Sequence, residues 1–270
     1  MMSLEDTLRH FSDMAEKKRN ALMHNPIGFF IAAMMAGAYV GVGIMLILAV
    51  GEHADPSLRT LIMGVSFGIA LTLVVFAGAE LFTGHTMYMS FGVLSKKSSL
   101  KDLSYVWVIV WIGNLIGCMV LALLANLGTV DIVSSNDGIL FKLADKKTSL
   151  TSTEMVARGI LCNWLVCLAL WTSARTDDDT AKLFLIFWCL FAFIACGFEH
   201  SVANMTVFTL ALFSQHPDTI SVIGAGKNLF WVTIGNTISG VLFLAMAYWK
   251  AGQNAASTIK DQLITDESKD

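Results

Sequence analysis

Glu199 and His200 stand side by side in a stretch that holds no other Asp, Glu, Lys or Arg between Lys182 and Asp218. An imidazole beside a carboxylate in apolar surroundings can exchange a proton with a small ion or hydrogen-bond to it. At the centre of a bilayer, the setting argued below, a charge costs about 2.5–3.5 kcal/mol or more, so unwound backbone amides and polar neighbours such as Asn163, Asn204 and Asn236 must compensate. Glu80 is isolated in the same way and is followed by Thr83-Gly84-His85, where Gly84 permits a tight bend that carries Thr83 inward. The two glutamates lie 119 positions apart. At that displacement His85 aligns with Asn204 and reads as a hydrogen-bonding group at a helix start, while Glu80 and Glu199 suit the capping of helix ends. His200 aligns with Leu81, so symmetry does not account for it, and it is the candidate for a functional role. A free histidine titrates near ~6.5, so modest changes of environment switch its charge at cellular pH.

The elements that hold these residues follow from composition. The chain has 270 residues, 55% hydrophobic and only 14% charged, with a mean hydropathy of +0.65. Soluble domains carry about 25% charged residues, so a soluble enzyme and a disordered chain are both excluded. Runs free of charged residues cover 20–51, 60–79, 81–95, 103–130, 159–174, 183–198, 200–217 and 228–249, and a helix needs about 20 such residues to cross ~30 Å of hydrocarbon. An all-α integral membrane protein is expected. A net charge of −3 offers no basic surface for nucleic acid. The acidic start, with Glu5, Asp6, Asp13 and Glu16, lacks the pattern of a signal peptide, so the first span is expected to remain in the mature chain. The cysteines at 118, 162, 167, 189 and 196 have no zinc-like spacing and read as small buried hydrophobes. No metal or cofactor is expected.

Each stretch split by a lone glutamate would be about 50 Å long as one helix, too long to cross once and too short to cross twice. The economical solution is a span that unwinds at the Glu and resumes as a half-helix, its irregular backbone shielded by protein or lining a cavity. Six spans result, near 27–50, 60–94, 103–125, 156–175, 182–213 and 228–249, the second and fifth broken. Gly78-Ala79-Glu80 recurs as Gly197-Phe198-Glu199, and Gly113-Asn114 recurs as Gly235-Asn236, 122 positions later. Three spans separate the copies, so two three-helix repeats, about 25–125 and 155–250, must be inverted, with a solute pathway at their interface. Putting the N-terminus inside leaves only Arg59, Lys142, Lys146, Lys147, Arg158 and Lys227 outside among the 18 basic residues, which supports two cytoplasmic termini. Residues 3–24 read as an amphipathic cytoplasmic helix with Ser3 and Asp6 at its start and Leu4, Leu8, Phe11 and Ala15 on one face. Residues 1–24 thus precede a channel domain at 25–250; 126–154 form a long external loop and 251–270 a polar cytoplasmic tail. Glycine pairs at 37/41, 64/68 and 113/117 predict close helix packing.

Three segments carry a resemblance: Glu80-Leu81-Phe82-Thr83-Gly84-His85-Thr86-Met87, Cys162-Asn163-Trp164-Leu165-Val166-Cys167-Leu168-Ala169 and Gly197-Phe198-Glu199-His200-Ser201-Val202-Ala203-Asn204-Met205. Together they resemble the signature segments of the formate/nitrite transporter family, from about Asn25 to Trp249. The Asn163-Trp164 pair and Asn228 to Asn236, with Trp231 where the formate branch typically has proline, look like the nitrite-channel branch. The resemblance implies an aquaporin-like protomer of six helices, a homopentamer with one pore per protomer, residence in the bacterial inner membrane, and a part in nitrate assimilation. On matching positions it implies a central histidine at His200 with partner Thr83, a pathway that includes Asn163, Glu199 and Asn204, and a vestibule lysine at Lys147. It places apolar constrictions at Phe67, Leu71, Leu81, Phe82, Val166 and Phe193. Formate channels have a lysine near the start of the first span, where this chain has His24-Asn25-Pro26.

A bare anion faces a desolvation penalty of tens of kcal/mol at an apolar constriction in the idealised limit, whereas its conjugate acid does not. Dry constrictions thus favour a neutral permeant; joined to this, the resemblance implies a nitrite channel or transporter in which Lys147 and half-helix N-termini attract the anion and His200, held by Thr83, supplies or shares a proton. Formate or hydrosulfide is the alternative permeant. A neutral-solute channel fits less well, because the chain lacks paired Asn-Pro-Ala motifs and would not need a buried His beside Glu. A membrane enzyme lacks partners for its histidines, none of which form a His-x-x-His pair.

Overall fold

The computed structural model describes residues 1–134 and 138–252. Among them the chain is helical throughout, in the order α1 (Leu4–His24), α2 (Pro26–Glu52), α3 (Arg59–Ser66), α4 (Ile69–Phe76), α5 (Phe82–Leu94), α6 (Leu100–Leu127), α7 (Asp131–Ser134), α8 (Ile139–Ser149), α9 (Ser152–Ser173), α10 (Asp179–Ala195), α11 (Ser201–Phe213) and α12 (Val222–Ile238), the last continuing as a π-helical segment over Ser239–Met246. Five helical stretches are long and apolar enough to cross a membrane, and the chain is a multi-pass membrane protein. The stretch expected as an external loop contains α7 and α8. Most of the tail expected at 251–270 lies outside the described residues.

Start signals appear where physics requires them. Ser3 caps α1, Asn25 and Pro26 open α2, and reciprocal Ser99/Asp102 and Thr151/Glu154 boxes open α6 and α9. The apolar face of α1 is buried: Phe11 stacks between Tyr88 and Phe91 on α5 and Trp171 on α9. Lys97 pairs with Asp13, and Arg19 donates to the Lys97 carbonyl, so this helix is docked rather than free. A side chain at Gly37 or Gly117 would run into the backbone of Asn114 or Met34, which is why α2 and α6 pack closely.

Both expected breaks are present. Ala77 caps the C-terminus of α4 and Cys196 that of α10; Gly78 and Gly197 then take φ of +72° and +68°, a conformation that favours glycine. Leu81 and His200, which follow, are extended, and they and the preceding Glu80 and Glu199 are buried. Their orphan backbone groups are satisfied in a matched way. Glu80 N–H donates to Ala32 O and Glu199 N–H to Arg158 O. Asn114 accepts from Phe82 N–H at 2.9 Å and donates to Ala33 O and Glu80 O; Asn236 accepts from Ser201 N–H at 2.9 Å and donates to Gly159 O and Glu199 O. One asparagine therefore staples each break, satisfying groups that would otherwise be stranded away from water.

Candidate functional site

Each half-helix start presents a carboxylate locked into a network. Glu199 accepts from Lys147 Nζ at 2.9 Å and from Asn204 Nδ2 at 2.6 Å. Asn204 also donates to Asn228 Oδ1, and Asn228 returns to the Lys147 carbonyl, closing a ring. At the other break Glu80 accepts from Lys18 Nζ at 2.6 Å and from His85 Nε2 at 2.8 Å. The equivalent positions of His85 and Asn204 thus perform the same task with different side chains.

His200 is the N-cap of α11, and its Nδ1 accepts from Ala203 N–H at 3.1 Å. That bond leaves Nδ1 without a proton, so the neutral ring carries its hydrogen on Nε2, which donates to Thr83 Oγ1 at 3.1 Å. Both ring nitrogens are held, and the tautomer is dictated by the cap. The ring stacks on Phe193 at 5.9 Å, and Phe67 meets Phe193 edge-on at 5.2 Å.

Three spaces lie in series. A cavity of about 550 Å³ near Glu80 and Lys18 shares Leu71 and Leu81 with a central void of about 10 Å³. That void shares Phe193 and His200 with a second cavity, of about 280 Å³, near Glu199 and Lys147. The void has room for one water at most, and Phe67, Val166 and other apolar groups complete its wall; His200 is the one titratable side chain on it. The arrangement is an apolar neck between two larger cavities that carry charged side chains, with a fixed hydrogen-bonding group at the neck.

Five of the six constriction candidates meet at this neck. Phe82 does not: it lines a separate surface groove and packs edge-on against Trp107. Leu81 is still extended while Phe82 begins α5, so consecutive side chains diverge to opposite sides. Asn163 likewise lines none of the three spaces. It is fully buried behind Thr83, donating to Asn236 O at 2.6 Å and Thr86 Oγ1 at 3.0 Å, so it braces the site rather than facing it. The cysteines divide too: 118, 162 and 167 are buried, whereas Cys189 is half-buried and Cys196 is exposed at the end of α10 beside the break. Sequence reasoning missed Lys18, Asn114 and Asn228. The repeated Gly-Asn pair pointed to Asn114; nothing local pointed to Lys18.

The family model for formate/nitrite transporters matches residues 5–250. The chain belongs to the formate/nitrite transporter family. It is 47% identical over 249 residues to the nitrite transporter NirC of Salmonella typhimurium strain LT2, covering 91% of each chain. It is similar to a solved structure described as an FNT family ion channel, with a TM-score of 0.90, 47% identity and coverage of 92% of this chain and 99% of that one. A pentameric formate channel with formate bound gives a TM-score of 0.72 at 26% identity, covering 84% and 97%. Among formate/nitrite transporters this chain thus sits beside a nitrite transporter over nearly its full length.

Proposed function

We propose that this family member is a nitrite channel of the bacterial inner membrane, acting in nitrate assimilation as a homopentamer with one passage per protomer. The observation that carries the mechanism is the neck: a void of about 10 Å³, apolar but for His200. The N-termini of α5 and α11 lend partial positive charge to an anion arriving there. His200 Nε2–H, now given to Thr83, is the donor that an oxyanion reaching the neck meets; the proton that neutralises the anion comes from water in the mouth through which it enters, because the neutral ring has none to give up. Nitrous acid then passes Leu71 and Leu81 without the cost of a bare charge. Moving one anion inward against −100 mV costs ~2.3 kcal/mol, so influx gains from a proton carried along, whereas efflux of the bare anion is electrically downhill.

In this reading six spans form two inverted repeats, about 25–125 and 155–250, in an aquaporin-like protomer. Residues 1–24 and the tail 251–270 are cytoplasmic, and 126–154 face outside. Lys147, Glu199 and Asn204 frame the outer mouth; Phe67, Leu71, Leu81, Val166 and Phe193 are the constriction. A formate channel is the second reading, favoured by the formate-bound neighbour and set behind nitrite by that neighbour's 26% identity. Electrogenic flux in reconstituted bilayers, comparing nitrite, nitrate and formate across pH, tests both. Nitrite flux that rises as pH falls and exceeds formate flux is expected; a formate preference, or no nitrite flux, refutes the proposal.

A further inference from the structure

The two mouths differ in charge. The cavity beside Glu199 is lined by Arg59, Lys142, Lys146, Lys147 and Arg158 against a single carboxylate, Glu199. Lys147 is engaged by Glu199, and Arg158 faces Glu154 at 3.7 Å. Among the described residues no acid forms an ion pair with Arg59, Lys142 or Lys146; Asp55 turns its carboxylate onto Ser57, whose hydrogen bonds hold its pKa below the usual range ahead of a lesser pull from Arg59, and it lies outside the cavity. Lys142 and Lys146 are one turn apart on α8, so both reach the same wall. The cavity beside Glu80 is instead balanced, with Lys18 and Lys182 against Glu80 and Asp177, and both lysines already ion-paired.

We propose that Arg59, Lys142 and Lys146 form a collecting site for small monovalent oxyanions at one mouth only, so that the passage loads anions asymmetrically. This inference rests on the channel reading for the identity of its ion. Clefts lined by one sign of charge raise local counter-ion concentration and on-rates by about 10-fold or more, and lose that gain when salt screens them. The Debye length shrinks from about 30 Å at 0.01 M to about 3 Å at 1 M, so loading from the basic mouth alone is steeply salt-dependent.

The test compares right-side-out and everted membrane vesicles carrying the full chain. Initial nitrite influx is measured at subsaturating nitrite while an impermeant salt is raised from about 0.01 to 1 M. About a tenfold fall in one vesicle type and less than about twofold in the other is expected. Lys142→Gln with Lys146→Gln, both exposed positions, reduces the steep response to the shallow one and raises the apparent KM, whereas Lys142→Arg with Lys146→Arg restores it. Equal salt responses in the two vesicle types, or a steep response that the glutamine pair leaves intact, overturn the proposal. Vesicles that pass formate but no nitrite refute the nitrite reading alone: one-sided salt dependence for formate then supports this site, and its absence refutes the site as well.

Discussion

Replacing His200 by asparagine separates the two roles of that side chain. Asn is a strong N-cap, so its Oδ1 can still accept from Ala203 N–H as Nδ1 does now, and α11 keeps its start. What disappears is Nε2, the atom bonded to Thr83, together with the only titratable group on the void. A hydrogen bond to a charged group contributes about 1.5–3 kcal/mol; at 1.36 kcal/mol per decade in rate, His200→Asn lowers nitrite flux about 10- to 150-fold. The assay is stopped-flow nitrite uptake into proteoliposomes between pH 5 and 8, with thermal unfolding in detergent as the control for folding. The wild type is expected to show a pH-dependent rate and the variant a slow rate with a flatter profile at near-normal stability. A variant with unchanged flux and unchanged pH profile would show that the ring takes no part in conduction.

Asn114→Ala deletes three buried hydrogen bonds at the first break; at about 0.6–1.7 kcal/mol each in a bilayer setting, a loss of about 2–5 kcal/mol is expected in denaturant unfolding, with a similar loss for Asn236→Ala. Lys147→Met strands the buried Glu199 carboxylate and costs about 3–5 kcal/mol, while Lys147→Met combined with Glu199→Gln recovers much of it; a double-mutant cycle in unfolding free energy checks this, and additive losses would refute the pairing. His10 on α1 sits half-buried beside Lys17, and burial holds its pKa below 6.5. A histidine that folds with a depressed pKa adds a proton more readily when undocked, so α1 docking weakens as pH falls through that ordinary value. Protease cleavage within α1 is therefore expected to rise below about pH 6.5, and His10→Phe is expected to abolish the rise.

Much of this protein is written locally. Long charge-free runs dictate membrane helices because lipid admits little else. Gly78-Ala79-Glu80 and Gly197-Phe198-Glu199 announce the breaks, because a lone carboxylate after a glycine cannot sit comfortably in a continuous span. His200 stands out because the repeat gives it no counterpart. The division between Leu81 and Phe82 was not legible, since it turns on the dihedral angles at one junction rather than on residue type. Nor was the role of Asn163, equally suited by chemistry to face a pathway or to brace its wall. Lys18 reaches Glu80 across 62 positions, and Arg59 on α3 joins Lys142 and Lys146 on α8 at one mouth only once the helices around it have packed. Residue types and spacing determined that polar groups would be placed in lipid and where the helices would yield. Tertiary packing alone decided which of those groups meet, because a hydrogen bond or a shared cavity depends on separation in space, and distance along the chain does not encode it.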